Sequence, residues 1–133
     1  MDEAQVMVVD DEEMVCERLK HHLEKNGFRV ATFQDSRQAL AELEKTRYHV
    51  VVTDLKMAGA TGLDVLHNIR DRGYPTQVIL ISGYASMEAA REAEAVGAFD
   101  FVCKPFELKT LTNLVRKAAR RAQRGVGVPR SEV

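Results

Sequence analysis

The segment YHVVVTD, residues 48–54, decides how this chain folds, because an apolar run rich in valine ends directly on an acid. A run of this length is typical of a strand that is buried on both faces of a parallel sheet. QVMVV at residues 5–9 and QVILI at residues 77–81 have the same character, and each also precedes a polar residue. We therefore predict three buried strands, with the third covering residues 48–53.

Strand and helix patterns alternate along the rest of the chain. Two more strands are predicted at residues 28–33 and 99–103. Apolar residues three or four apart predict helices over residues 12–26, 36–45, 62–72, 86–96 and 107–124. Ser36 and Ser86 are the expected N-caps of the second and fourth helices. This alternation predicts an α/β fold in which helices cover both faces of a parallel sheet.

Length and charge limit the organisation of the protein. The 133 residues fit one compact domain, which we expect over residues 1–124, with residues 125–133 (GVGVPRSEV) as a flexible tail or the start of an inter-domain linker. A formal net charge of −1 excludes a general nucleic-acid binder. The chain has no apolar run of membrane-spanning length and begins with acids at Asp2 and Glu3, so we expect a cytoplasmic protein.

The two cysteines, Cys16 and Cys103, are too few for a disulfide framework. A domain of this size is stable on its core alone, so we expect both thiols to be reduced and buried.

Polar residues follow four of the five predicted strands, namely Asp10 with Asp11, Asp54, Ser82 and Lys104. Open α/β sheets bind ligands beyond the carboxyl ends of their strands. In the flavodoxin-like doubly wound (βα)5 fold, with strand order 2-1-3-4-5, these four strands adjoin and the side chains converge. Each residue alone has an ordinary explanation as a helix cap or a turn, but the set favours a functional site.

Charge indicates what such a site binds. Three carboxylates close together repel one another, and oxygen-only ligands favour Mg²⁺. The metal and Lys104 together balance the three negative charges and can hold a phosphoryl group between them. Asp54, at the central strand end, is the candidate nucleophile for phosphoryl transfer, and Ser82 is placed to hydrogen-bond a phosphoryl oxygen. Asp10 and Asp11 are the candidate metal ligands.

Four segments carry a family resemblance. VMVVDDE at 6–12, VVVTDLKMAGATGLDVL at 50–66, VILISGYAS at 78–86 and GAFDFVCKPF at 97–106 resemble bacterial two-component response-regulator receiver domains of the chemotaxis-regulator type. The resemblance covers nearly the whole chain. It implies a signalling phospho-acceptor, not an enzyme, that receives a phosphoryl group from a sensor histidine kinase or a phosphotransfer protein.

The resemblance also implies a role for each matching residue. Asp54 is the phosphorylation site, and Asp10 and Asp11 are the acidic pair for Mg²⁺, with Asp11 the direct ligand. The backbone carbonyl of Lys56 completes the metal contacts of the protein. Ser82 is the hydroxyl that moves on phosphorylation.

Further implied roles concern the last strand and its neighbours. Lys104 is the lysine of the family and precedes a cis peptide bond to Pro105, and Phe101 is the aromatic that turns inward on activation. The face formed by the fourth helix, fifth strand and last helix meets an output domain, another partner or a second copy, with no membrane and no direct nucleic-acid contact. The basic end of the last helix is read as complementing the helix dipole.

Three positions near the site bear on its chemistry. Ala58 stands where the family often has proline, so we expect a less rigid loop. Lys56 and Tyr84 lie two residues beyond Asp54 and Ser82. We expect them to flank the path of attacking water and slow self-dephosphorylation, although both are equally well explained as exposed loop residues.

Two other functions use the same fold. A Mg²⁺-dependent phosphohydrolase with an Asp nucleophile usually has a second acid two residues later, where this chain has Lys56. An unphosphorylated interaction module of receiver shape is expected to lack one of the acids or the lysine, and this chain has all of them.

Overall fold

The computed structural model describes residues 3–56, 61–83 and 87–125. The strands are β1 (Gln5–Val9), β2 (Arg29–Phe33), β3 (Val50–Asp54), β4 (Gln77–Ser82) and β5 (Asp100–Cys103). The helices are α1 (Glu13–Lys25), α2 (Ser36–Lys45), α3 (Gly62–Asp71), α4 (Met87–Val96) and α5 (Leu108–Gln123). The expectations for Ala58, Tyr84, the Ser86 cap and the tail beyond Gly125 lie outside the described residues.

All five strands are parallel and form one sheet in the order β2-β1-β3-β4-β5, which confirms the predicted fold. Two strands end one residue later than predicted. Asp54 is the last residue of β3, because its backbone still pairs with Ile81, and Ser82 is the last residue of β4, opposite Cys103. The polar site residues are therefore held by the sheet itself.

Helices cover both faces of the sheet, and β1 shows how its side chains divide between them. Val6 and Val8 point to the face that packs against α1 and α5, whereas Met7 and Val9 point to the face covered by α2, α3 and α4. All four side chains are fully buried. This alternation follows from the pleat of a strand, and it fixes the register of β1 on both sides.

The helices are attached to the sheet unequally. α5 has six buried residues, among them Leu111 and Val115. In the described part of α4 only Ala93 is buried, while Ala90 and Val96 are half-buried. Small side chains on α4 thus leave it with much less buried apolar surface than α5. Within the described residues, no helix is both long and apolar enough to cross a membrane.

Two local predictions were wrong. Ser36 is the first residue of α2 and is not its N-cap; the cap is Asp35, whose carboxylate accepts from the backbone N–H of Arg37 at 2.8 Å. Asp35 has the extended backbone that an N-cap needs, whereas Ser36 is already helical. Cys16 is buried as expected, but Cys103, at the end of the edge strand β5, is exposed.

Gly62 holds the start of α3 against the end of β3. A Cβ atom at this position would lie 2.5 Å from the backbone oxygen of Asp54 and 2.9 Å from Leu80 Cδ2. The Gly62 N–H also donates to the Leu55 oxygen at 3.0 Å. Only glycine permits this approach, so it fixes where the backbone turns after Asp54.

We expect Gly62→Ala to lower the free energy of unfolding by about 1–3 kcal/mol, because the methyl group meets backbone that cannot move freely. Urea denaturation measures the loss. Gly83→Ala is the matched control, since its Cβ would meet only Lys104 Cδ, at 3.9 Å. Equal stability of the two variants would contradict the steric explanation.

Candidate functional site

Asp54 projects from the end of the fully buried strand β3, and its side chain is 11% exposed. Both carboxylate oxygens have partners within the protein. Oδ2 lies 3.0 Å from Lys104 Nζ, and Oδ1 accepts from the backbone N–H of Lys56 at 3.1 Å. The carboxylate is thus oriented by two neighbours, and the ammonium group lies directly beside it.

Two more carboxylates lie beside Asp54 at the end of β1. One oxygen each from Asp10, Asp11 and Asp54 can be chosen so that all three lie within 4.8 Å of one another. Asp10 is completely buried, whereas Asp11 is exposed. A set of carboxylate oxygens, part buried and part open to solvent, fits a hard divalent cation that keeps some of its waters.

Lys104 is the cation at the centre of this group. Its Nζ lies 3.3 Å from Asp10 Oδ2 and 3.5 Å from Glu12 Oε1, in addition to its contact with Asp54. Burial alone would lower the pKa of Lys104, but the hydrogen bond to Asp54 and the charges of Asp10 and Asp54 outweigh it and raise the pKa. Lys104 is therefore an ammonium at neutral pH.

For Asp10, burial outweighs the favourable contacts in setting the pKa of the carboxyl group. Burial raises the pKa of its carboxyl above the usual range, and the charge of Asp54 adds to this effect. The backbone N–H of Glu12, 2.9 Å from Oδ1, and the ammonium of Lys104 only partly oppose it. The buried Asp10 carboxylate is therefore short of positive charge.

Ser82 and Lys104 lie on neighbouring strand ends. Ser82 is buried and follows Ile81, the residue that pairs with Asp54 across the β3–β4 ladder. The backbone N–H of Lys104 donates to the backbone carbonyl oxygen of Ser82 at 2.7 Å. The peptide bond between Lys104 and Pro105 is cis, as the resemblance implies.

Phe101 lies farther from the acids, in the middle of β5 and opposite Leu80. It is half-buried and packs against the cluster on the α3 and α4 face of the sheet. It also lines a cavity of about 250 Å³ between α4 and β5, together with Ala93, Phe99 and Asp100. The ring therefore borders open space beside α4, and in the described part of that helix only Ala93 is buried.

Two contacts within the site were not predicted from the polar residues at the strand ends. Glu12 reaches Lys104, and the backbone N–H of Lys56 holds Asp54. The acid run DDE at residues 10–12 was the only available signal for Glu12. The group as a whole has four carboxylates, from Asp10, Asp11, Glu12 and Asp54, near the ammonium of Lys104. Such an excess of negative charge favours a divalent cation.

Comparison with known proteins shows the family to which this chain belongs. The family model described as "Response regulator receiver domain" matches residues 6–116. The transcriptional regulatory protein FixJ of Rhizobium meliloti is 37% identical over 114 residues, which cover 86% of this chain and 56% of that protein. The C4-dicarboxylate transport transcriptional regulatory protein DctD of Pseudomonas aeruginosa is 34% identical over 116 residues, covering 87% of this chain and 25% of that protein.

A solved structure gives the same result for the fold. A response regulator receiver domain protein from Clostridium thermocellum superposes with a TM-score of 0.84 at 30% identity, covering 90% of this chain and 97% of that one. The match to an isolated receiver domain is therefore nearly complete, whereas this chain spans only a quarter to just over half of the two curated relatives.

We expect Asp10→Asn to raise the free energy of unfolding at pH 7 in metal-free buffer, because burial disfavours the charged form of Asp10. The pKa of Asp10 is higher in the folded than in the unfolded protein. The folded state therefore binds the proton of Asp10 more tightly than the unfolded state does. The free energy of unfolding falls as the pH rises from the unfolded-state pKa to the folded-state pKa, and it stays lower at neutral pH. Asparagine carries no charge and escapes this loss.

Urea denaturation with a chelator present measures the change, and Asp11→Asn is the control because Asp11 is exposed. A less stable Asp10→Asn variant would contradict the account. Adding Mg²⁺ should stabilise wild type more than Asp10→Asn, since a bound cation favours the ionised form.

Proposed function

We propose, because this chain belongs to the response regulator receiver domain family, that it takes a phosphoryl group onto Asp54 from a phosphohistidine donor and alters a partner-binding surface in response. The chain is a receiver domain of two-component response regulators, a signalling family. The observation that carries the assignment to Asp54 is its 3.0 Å contact with Lys104 beside the carboxylates of Asp10 and Asp11.

The proposed transfer moves one group. An Asp54 oxygen bonds to phosphorus while the phosphorus–nitrogen bond to the donor imidazole breaks, and the imidazole keeps the electron pair of that bond. The Lys104 ammonium is placed to donate hydrogen bonds to the phosphoryl oxygens once the group is on Asp54. Ser82, at the end of the adjacent strand, supplies a hydroxyl that can donate to one of them. Loss of the group to water returns the carboxylate.

Receiver domains generally bind Mg²⁺ at acidic residues, and the donor set here fits that ion. We assign its binding to Asp10, Asp11 and Asp54, together with the backbone carbonyl of Lys56. When bound, Mg²⁺ neutralises part of the negative charge that carboxylates and phosphoryl group bring together. The residues of the chain then orient the acceptor through the Lys56 N–H and Lys104.

The proposed response to phosphorylation is a population shift between two packings. Movement of Ser82 toward the phosphoryl group frees space for Phe101, whose ring already borders the cavity beneath α4. The surface of α4, β5 and α5 then changes. Receiver domains interact with histidine kinases and output domains, and we assign this face to an output domain, another partner or a second copy.

The extent of the domain belongs to the same proposal. We assign residues 1–124 to the receiver domain and residues 125–133 to a tail or linker.

The competing phosphohydrolase function lacks support at one residue. Its second acid would stand at position 56, where the chain has an exposed lysine. A module that is never phosphorylated is expected to lack one of the acids or the lysine, and this chain has all of them. The proposed roles of Lys56 and Tyr84 in phosphate lifetime stay predictions.

We expect wild type to gain one phosphoryl mass, seen by intact-protein mass spectrometry, after treatment with acetyl phosphate and Mg²⁺. Asp54→Asn should gain none, because the amide is not a nucleophile. Asp64→Asn is the control, since it removes an exposed acid that only caps α3. No added mass on wild type, or equal mass on Asp54→Asn, would rule the function out.

A further inference from the structure

Lys104 has a third carboxylate partner, Glu12, which the proposed transfer does not use. The two side chains meet at 3.5 Å between Nζ and Oε1, a longer contact than those of Lys104 with Asp54 and Asp10. An ammonium group has three N–H donors. All three are thus directed at carboxylates before any phosphoryl group arrives.

The backbone explains why Glu12 reaches Lys104. Glu12 is the N-cap of α1 and has an extended backbone, with φ −92° and ψ 114°. Its N–H is bound to Asp10 Oδ1 at 2.9 Å, and its own side chain makes no capping hydrogen bond. The carboxylate is therefore free of the helix terminus and extends across to Lys104 instead.

A phosphoryl group on Asp54 would need Lys104, so one of the existing contacts must weaken. Asp10 is completely buried and cannot be left without a partner at small cost. The Glu12 side chain is 66% exposed and can return to water. Glu12 is therefore the partner that Lys104 gives up.

From this geometry we infer that Glu12 is a positioning residue that holds back phosphorylation by competing for Lys104. The inference rests on the proposed function. In the resting protein Glu12 draws the ammonium toward the solvent side of the site, and its charge repels an anionic phosphoryl donor. Without the charge of Glu12, Lys104 contacts only Asp54 and Asp10 among these carboxylates. It is then available to bind the incoming phosphoryl group.

The test compares initial rates of phosphorylation by acetyl phosphate with Mg²⁺ for wild type, Glu12→Gln and Glu13→Gln. We expect Glu12→Gln to react about two- to fivefold faster at low ionic strength, the range that an exposed ion pair can account for. Glu13→Gln makes the same change in net charge one residue away, and Glu13 is not among the ion-pair partners of Lys104 in the described part of the chain. It should therefore react at close to the wild-type rate.

Two further readouts separate competition from a structural effect. The advantage of Glu12→Gln should vanish at about 1 M salt, where the screening length falls to about 3 Å. Glu12→Asp keeps the charge but shortens the reach, so its rate should lie between those of wild type and Glu12→Gln. In metal-free buffer, acetic anhydride should acetylate Lys104 faster in Glu12→Gln than in Glu13→Gln, with exposed Lys117 as internal reference.

The outcomes are distinct. If no variant gains phosphoryl mass, the proposed function is wrong. If wild type gains it but Glu12→Gln is no faster than Glu13→Gln, or is slower, the function stands and the role of Glu12 is overturned. Unchanged acetylation of Lys104 in Glu12→Gln would show that the ion pair does not form in solution, and would overturn the inference as well.

Discussion

The attraction of Lys104 to the carboxylates of Asp54 and Asp10 is the interaction on which the site depends. Both acids are buried at the ends of strands, where an unpaired charge is very unfavourable. One ammonium cannot satisfy them together with Asp11 and Glu12. The resting protein is thus left with excess negative charge in a confined space, and a bound divalent cation would offset that excess.

The sheet makes this arrangement unavoidable. Because β1, β3, β4 and β5 are adjacent and parallel, their carboxyl ends meet at one edge. Asp54 and Ser82 still belong to their strands, so ladder hydrogen bonds fix their backbones. The close contact at Gly62 then limits how the chain leaves Asp54. The backbone of Asp54 therefore cannot move away from the other acids without breaking strand pairs.

Much of this could be read from the sequence, because strand burial and strand ends leave a strong pattern. Runs such as QVILI followed by serine predict both a strand and the edge at which it stops. Contacts set by a single backbone angle leave no such pattern. Asp35 and Ser36 are both good capping residues, and only the φ and ψ values decide between them. The reach of Glu12 to Lys104 likewise depends on the extended backbone at the N-cap.

The exposure of Cys103 shows that residue type alone does not predict burial in a strand. A small apolar residue in a strand predicts burial, but β5 is an edge strand and Cys103 is its last residue, beside the open end of the sheet. Position in the sheet, which the residue type does not encode, decides the outcome. The same reasoning applies to α4, whose alanines fit either a tightly packed or a loosely attached helix.

The loose attachment of α4 connects the site to the surface. Burial of one methyl group stabilises by about 0.8 kcal/mol, so the single buried alanine in the described part of α4 holds it weakly. α5, with Leu111, Val115 and four other buried residues, is held several times more strongly. In the proposed function, charge added at Asp54 acts through new charge-assisted hydrogen bonds. The helix that such a change would move with the smaller loss of buried surface is α4. The proposed response therefore falls at the helix beside Phe101, while the strand pairs hold Asp54 and Ser82 in place.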